Sequence, residues 1–345
     1  MGLLSLWLGF CGSSSCSITD RLDGRVAVVT GANSGLGLQL TAELAMRGAR
    51  VIMACRGLEK FELARDYLLS KYGENSKHLS GPSMGQLTSI KQAQLQFEEL
   101  RLCSFDDVKR FVACISSKES AIDFLVNNAG ILLTSANADD ELTPDGYNRH
   151  FQVNYLSTVL LTLSTLPLLN AEKSSRIVFT TSVLRHLATI QPKDVFRSKT
   201  GLLGGHTYSH SKLLISAFSN RLARHLEIRN ILVASVDPGI VRTNLGRDAG
   251  FIWNLVWNNL LWPLRKDVRL GVQSALHTLL DPNLVTGAEY CDCVVVKCSP
   301  QMNNEKLLDA VWTKTIQILS PHFNPSVLQD VEELCRGTEG NLHTN

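Results

Sequence analysis

Two side chains in the sequence, Tyr208 and Lys212, have the types and the spacing for proton transfer. They stand at i and i+4 in His-Thr-Tyr-Ser-His-Ser-Lys, a stretch with helical patterning, which puts both on one helix face. A phenol with a pKa of about 10 is a poor base at neutral pH. An ammonium group one turn away stabilises the phenolate, lowers that value and brings proton exchange within reach. Taken alone, the pair is common by chance and describes a solvated helix face rather than a site. Ser182 adds weight, because it closes the apolar run Arg-Ile-Val-Phe-Thr-Thr-Ser, which has strand length. A hydroxyl at such a strand end can hydrogen-bond a carbonyl oxygen as charge builds on it, although strand ends also carry serine for turn reasons.

A second chemistry-bearing stretch lies near the start. Thr30-Gly31-Ala32-Asn33-Ser34-Gly35-Leu36-Gly37 follows an apolar run and opens a helical pattern. Gly31 permits a sharp turn, Gly35 lets backbone approach a pyrophosphate, and Gly37 lets the helix pack closely on the sheet. The N–H groups at the helix start and the positive end of its dipole then face the phosphates. The spacing is Gly-x-x-x-Gly-x-Gly, and no Gly-Lys-Ser/Thr follows, which excludes a Walker loop. At the end of the second apolar run stands Ala54-Cys55-Arg56, with no acidic residue to hold a ribose 2′-hydroxyl. An arginine there suits a 2′-phosphate, so NADP(H) is favoured over NAD(H), the bland alternative being a solvated loop charge.

The elements that must position these residues can be read in order. Strand-length apolar runs at 25–30, 50–54, 94–102, 122–126, 176–181 and 231–236 alternate with helical patterns at 35–47, 58–72, 105–117 and 206–226. A long helix after the fourth strand is expected to open at Thr143-Pro144-Asp145, with a capping hydroxyl and proline at its first position. Repeated β-α units of this kind close into an α/β doubly wound parallel sheet of Rossmann type, here as a single domain over 23–298. Residues 290–296 supply a last strand, and 299–345 a helix at 304–319 followed by a polar tail. The Gly/Ser-rich stretch 73–90 has no apolar period and reads as a surface loop.

Composition sets limits. Among 345 residues a formal charge of +2 and no basic stripe give no reason to expect nucleic acid. Nine cysteines, an odd number without framework spacing, read as reduced thiols in a reducing compartment. Cys291, Cys293 and Cys298 lack a histidine or a second pair at zinc-ligand spacing, so no metal is expected. The apolar start Met-Gly-Leu-Leu-Ser-Leu-Trp-Leu-Gly-Phe-Cys is too short to span a bilayer and lacks the basic flank of a signal peptide. For 1–22 two readings stay open, a frayed tail or a weak interfacial anchor helped by acylation of Cys11 or Cys16. The anchor would place the protein on the cytoplasmic side of an intracellular membrane such as the endoplasmic reticulum.

The motifs occur together and in one order: Thr-Gly-x-x-x-Gly-x-Gly at 30–37, Asn127-Asn128-Ala129-Gly130, Asn154, Ser182, Tyr208-x-x-x-Lys212 and Pro238-Gly239-x-x-x-Thr243. As a set they resemble the short-chain dehydrogenase/reductase family over roughly 20–296. Ala-Cys-Arg at 54–56, Phe-Gln-Val-Asn-Tyr-Leu at 151–156 and His-Ser-Lys-Leu at 210–213 resemble its retinol-dehydrogenase-like branch. The resemblance implies that Tyr208 exchanges a proton with the substrate oxygen. Lys212 tunes that phenol and holds the nicotinamide ribose, Ser182 orients the carbonyl, and Asn154 positions a water of a proton relay. It places Asn128, Ala129 and Gly130 on the adenine-ribose side of the cleft. Pro238, Gly239, Val241 and Thr243 fall on the carboxamide and pyrophosphate side.

One departure stands out: where the family carries an acidic residue after the third strand, this chain has Leu100-Arg101-Leu102. The apolar stretch 251–264, with Trp253, Trp257 and Trp262, suits a lid over a lipophilic substrate or a contact with a membrane interface. The alternatives for it are core packing or a homodimer interface. The expectation is an NADP(H)-dependent oxidoreductase interconverting a lipophilic carbonyl (a retinoid, steroid or other lipid aldehyde or ketone) and its alcohol. The rivals are a cofactor-binding redox-sensing scaffold with little turnover and a membrane-surface adaptor.

Overall fold

The computed structural model describes residues 14–76, 87–133, 142–169, 174–196, 206–242 and 265–339. Eight strands form one sheet in the order β3-β2-β1-β4-β5-β6-β7-β8. They are β1 (Val26–Thr30), β2 (Arg50–Cys55), β3 (Leu95–Glu99), β4 (Phe124–Asn127), β5 (Arg176–Thr180), β6 (Leu232–Val236), β7 (Glu289–Cys291) and β8 (Val294–Val296). Seven run parallel and β8 is antiparallel to β7. Two apolar layers cover the faces, and the alternation along β1 explains how: Val28 joins one layer, Ala27 and Val29 the other, all fully buried. Helices α1 (Gly35–Met46) and α2 (Leu58–Tyr72) lie in one layer, while α3 (Phe105–Lys118), α4 (Ser157–Thr165) and α5 (His206–His225) lie in the other. The strand order reverses between β1 and β4, where open sheets of this type bind ligands beyond their carboxyl ends.

The single-domain doubly wound reading holds, with three local corrections. The helix after β4 does not open at Thr143-Pro144-Asp145. The Thr143 backbone N–H bonds Tyr147 O at 2.9 Å, and its hydroxyl and the Asp145 carboxylate both engage the Gln152 side chain. These bonds hold a turn, and Asn148 caps the helix instead, its Oδ1 accepting from His150 N at 2.9 Å and Phe151 N at 3.3 Å. After one turn (Arg149–Phe151) the backbone widens into a π-helical stretch, Gln152–Leu156, before α4. Such widenings are rare and recur at functional sites.

The run at 290–296 is a hairpin rather than one strand. Asp292 and Cys293 both adopt left-handed backbone (φ 52 and 62), the two-residue turn that matches strand twist. The tail beyond 319 is also not irregular. Pro325–Glu339 is a helix whose Val327, Val331 and Leu334 recur at helical spacing and are buried. The preceding helix, α7 (Glu305–Leu319, with α6 being Gln273–Leu280), carries Trp312. Its indole stacks on Phe218 of α5 at 5.3 Å between ring centroids and on His225 at 4.1 Å. The C-terminal helices thus brace the helix that bears Tyr208 and Lys212.

Candidate active site

The turn after β1 is built as its glycines require. Gly31 and Gly35 hold positive φ (67 and 53), a region open to glycine at little cost. A Cβ on Gly37 would lie 2.4 Å from Gly31 O and 2.7 Å from Asn128 Nδ2, so helix and turn meet where only a hydrogen fits. Ser34 heads α1 without a side-chain cap, and no acidic residue occupies the first turn. The leading N–H groups and the helix dipole are therefore left for an anion, which is what a dinucleotide pyrophosphate supplies. Asn33, Ser34, Gly35 and Leu36 line this turn.

Thr30 ties the turn to β4. Its Oγ1 accepts from Asn128 N at 3.0 Å and Ala129 N at 2.9 Å, while Asn128 Nδ2 donates to Thr30 O at 2.9 Å. Asn128, Ala129 and Gly130 are thereby held beside the glycine turn. Arg56 projects from the end of β2, exposed and without an ion pair among the described residues. Arg101 instead pairs with Glu99 at 2.7 Å on the surface.

Tyr208 and Lys212 lie on the inner face of α5, 2% and 4% exposed. Lys212 Nζ donates to Thr180 O, the last residue of β5, at 2.8 Å, and sits 5.9 Å from the centre of the Tyr208 ring. Ser182 follows β5, caps a 3-10 turn (Val183–Leu187) and hydrogen-bonds Tyr208. Asn154 lies in the π-helical stretch. Its Oδ1 accepts from Ile131 N at 2.8 Å, and its Nδ2 donates to Ile131 O at 3.0 Å and Ser211 Oγ at 3.1 Å. That side chain clamps the loop after β4 onto α5. A Cβ on Gly130 would lie 3.3 Å from both Asn154 Oδ1 and Lys212 Nζ, which puts this glycine against both side chains.

Electrostatics here run opposite to the simple expectation for Tyr208. Burial pushes its phenol up to about 12; the Ser182 hydrogen bond pulls it down, and the Asp237 carboxylate adds a smaller upward push. Burial also draws the Lys212 ammonium down to about 8, with Asp237 opposing. Desolvation is the larger effect on the phenol, and the Lys212 amino group is turned to Thr180 O. A phenol held protonated at neutral pH is suited to donate a proton.

Pro238, Gly239 and Val241 follow β6 at the same sheet edge; Gly239 takes φ 73 and its N–H donates to Asp237 Oδ1 at 2.9 Å. Thr243 lies outside the described residues, as do 251–264 and the apolar start 1–13. Sequence reasoning overlooked a buried ion cluster directly behind Ser182. Arg185 Nη1 lies 2.6 Å from Asp237 Oδ2 and its Nη2 2.9 Å from Glu289 Oε2. An acid directly before Pro238-Gly239 was the one available signal. Among the described residues no group of three or more His, Cys, Asp or Glu side chains could hold a metal ion. No described helix is long and apolar enough to cross a membrane.

A family model for short chain dehydrogenase matches residues 83–250. Retinol dehydrogenase 12 of Bos taurus is 32% identical over 312 residues, covering 90% of this chain and 91% of that protein. Retinol dehydrogenase 14 of Homo sapiens is 34% identical over 295 residues, covering 84% and 85%. A crystal structure of a putative uncharacterized protein from Mycobacterium Paratuberculosis superposes with a TM-score of 0.64 at 26% identity, over 90% of this chain and 98% of that one. Glycine turn, Ser-Tyr-Lys edge and relatives agree: this chain is an oxidoreductase of the short-chain dehydrogenase/reductase family, in its retinol-dehydrogenase-like branch, a family that uses a nicotinamide cofactor.

Proposed function

We propose that this chain interconverts a lipophilic aldehyde or ketone and its alcohol with NADP(H), with reduction as the favoured direction. The observation that carries the reading is the convergence of Ser182, Tyr208, Lys212 and Asn154 at the carboxyl ends of β4 and β5, beside the glycine turn. When bound, the nicotinamide supplies or accepts the hydride at the substrate carbon. Gly31, Asn33, Ser34, Gly35, Leu36 and Gly37 hold its pyrophosphate, and Arg56, a cation at the end of β2 with no ion pair among the described residues, receives the 2′-phosphate. Asn128, Ala129 and Gly130 line the adenosine side, and Pro238, Gly239, Val241 and Thr243 the nicotinamide side.

Tyr208 donates its proton to the carbonyl oxygen, Ser182 orients that oxygen through its hydroxyl, and Lys212 stabilises the phenolate that remains. Asn154 fixes the loop at Ile131 against α5 and so keeps the cleft in shape. The relatives are named for retinol, and the apolar stretch 251–264 suits a substrate of that solubility; a retinoid is therefore the leading candidate, with steroids and other lipid carbonyls in the same class. The apolar start supports peripheral contact with an intracellular membrane. The test is NADPH oxidation with a panel of lipophilic aldehydes and ketones, using Tyr208→Phe as control. Turnover that disappears in the variant while NADPH still binds is the expected result. Tight NADPH binding by both proteins with no turnover across the panel overturns the reading in favour of a cofactor-sensing scaffold.

A further inference from the structure

Behind the serine lies a set of charges that the chemistry above does not use. Arg185, Asp237 and Glu289 have side chains only 3%, 6% and 3% exposed. Arg185 Nη1 donates to Ser182 O at 2.8 Å and to Asp237 Oδ2 at 2.6 Å, and its Nη2 faces Glu289 at 2.9 Å. The other oxygen of each acid is also occupied: Asp237 Oδ1 accepts from Gly239 N at 2.9 Å, and Glu289 Oε1 accepts from Thr181 Oγ1 at 2.7 Å. One guanidinium thus holds the carbonyl of the serine residue, the acid that shapes the Pro238-Gly239 turn, and the acid on β7.

We propose that Arg185 and Asp237 are positioning residues for the reaction, stapling the Ser182 loop to the Pro238-Gly239 turn so that hydroxyl and cofactor meet the substrate in register. This inference rests on the functional reading given above. Thr181 already joins the strands at this point, its N–H and Oγ1 donating to Val236 O at 2.8 and 3.0 Å, and the guanidinium carries the tie one residue further on each side, to Ser182 O and the Asp237 carboxylate. A planar fork reaches its three acceptors from two nitrogens in fixed directions, whereas a lysine ammonium must serve them from a single point. Sub-ångström misplacement of a carbonyl-orienting group lowers the rate of the chemical step more than it weakens binding.

Four variants, Arg185→Lys, Asp237→Asn, Arg185→Met and Arg185→Met/Asp237→Asn, test the staple in the NADPH oxidation assay, with Tyr208→Phe and the parent protein run alongside. Arg185→Lys keeps the buried positive charge and loses the fork. Its kcat is expected to fall by about tenfold or more, with KM for the carbonyl and Kd for NADPH within about threefold of the parent. Asp237→Asn retains an acceptor for Gly239 N and is expected to show the same split. Arg185→Met/Asp237→Asn removes both charges together, so its melting temperature recovers relative to Arg185→Met while its kcat stays low. A double variant with both parental stability and parental kcat, or an Arg185→Lys protein at full kcat, makes the cluster structural glue and overturns the proposal. Absence of turnover in the parent overturns the functional reading and this inference together. Parental turnover that Tyr208→Phe abolishes but the cluster variants keep overturns the staple alone.

Discussion

The two ends of the central strands both bury polar and charged side chains, yet they do so in different ways. At the amino ends, each group is consumed by a partner that belongs to the framework. Arg25 Nη1 meets Asp123 Oδ1 at 2.7 Å, and the other oxygen of Asp123 accepts from Val26 N at 2.8 Å. Arg176 Nη1 donates to Thr278 O at 2.8 Å, and Arg50 pairs with Glu119. At the carboxyl ends, Ser182, Tyr208, Lys212 and the N–H groups that start α1 converge on one edge, and the protonation equilibria of Tyr208 and Lys212 are displaced in opposite directions. Burial of polar atoms is therefore common to scaffold and site. The distinguishing mark is convergence of groups whose capacity is not used up on one another.

That contrast can be broken by experiment. The largest effect is expected from Tyr208→Phe, on the order of a 10³-fold loss of turnover with little change in melting temperature, since only the hydroxyl is removed. A loss of stability that matches the loss of rate would place Tyr208 with the scaffold. Asp123→Asn is the converse case. It leaves Arg25 without its ion pair and is expected to cost about 2 kcal/mol of stability by denaturant titration, with kcat within about twofold. A parallel fall in kcat would remove the distinction between the two ends.

Lys212 sharpens the comparison through pH. Its folded pKa of about 8 lies below the ordinary lysine value of 10.5, so its ammonium form, and with it the reduction rate, is expected to decline as pH rises through about 8. Stability moves the other way. Between those two values the unfolded chain holds the proton that the folded chain has released, so the Lys212 contribution rises with pH, on the order of 1.4 kcal/mol per unit. Rate and stability profiles measured from pH 7 to 10 should show these opposite slopes in the parent, with the stability slope lost in Lys212→Met; parent slopes of the same sign would refute the assignment. The smallest effect is expected at Arg101, whose guanidinium is half-exposed and paired with Glu99. Arg101→Ala should change NADPH affinity by less than about threefold, because exposed ion pairs contribute little and the side chain is committed away from the cleft. A tenfold change in Kd on titration would show that it does touch the adenosine side.

Much of this molecule was legible in its residues because the signals are short-range. The turn at 30–37 needs glycine where backbone crowds backbone, the Tyr208/Lys212 pair needs only helical spacing, and continuous apolar runs mark strands covered on both faces. Elements decided by competition between neighbouring side chains were misread. Thr143 and Asn148 could each cap a helix, and the choice fell to Asn148 because Thr143 and Asp145 were taken up by Gln152. A hairpin was hidden in Glu-Tyr-Cys-Asp-Cys-Val-Val-Val because nothing in that run announces two left-handed residues. Tertiary structure alone decided two further matters. The phenol of Tyr208 rises because packing of α5 strips it of water, whereas sequence spacing pointed only to its lysine neighbour. The Arg185 cluster joins residues 52 and 108 positions apart, Arg185 to Asp237 and Thr181 to Glu289, through the adjacency of β5, β6 and β7. Residue type and local spacing determine what chemistry is available; the sheet order determines which of those groups meet, and how dry the place is where they do.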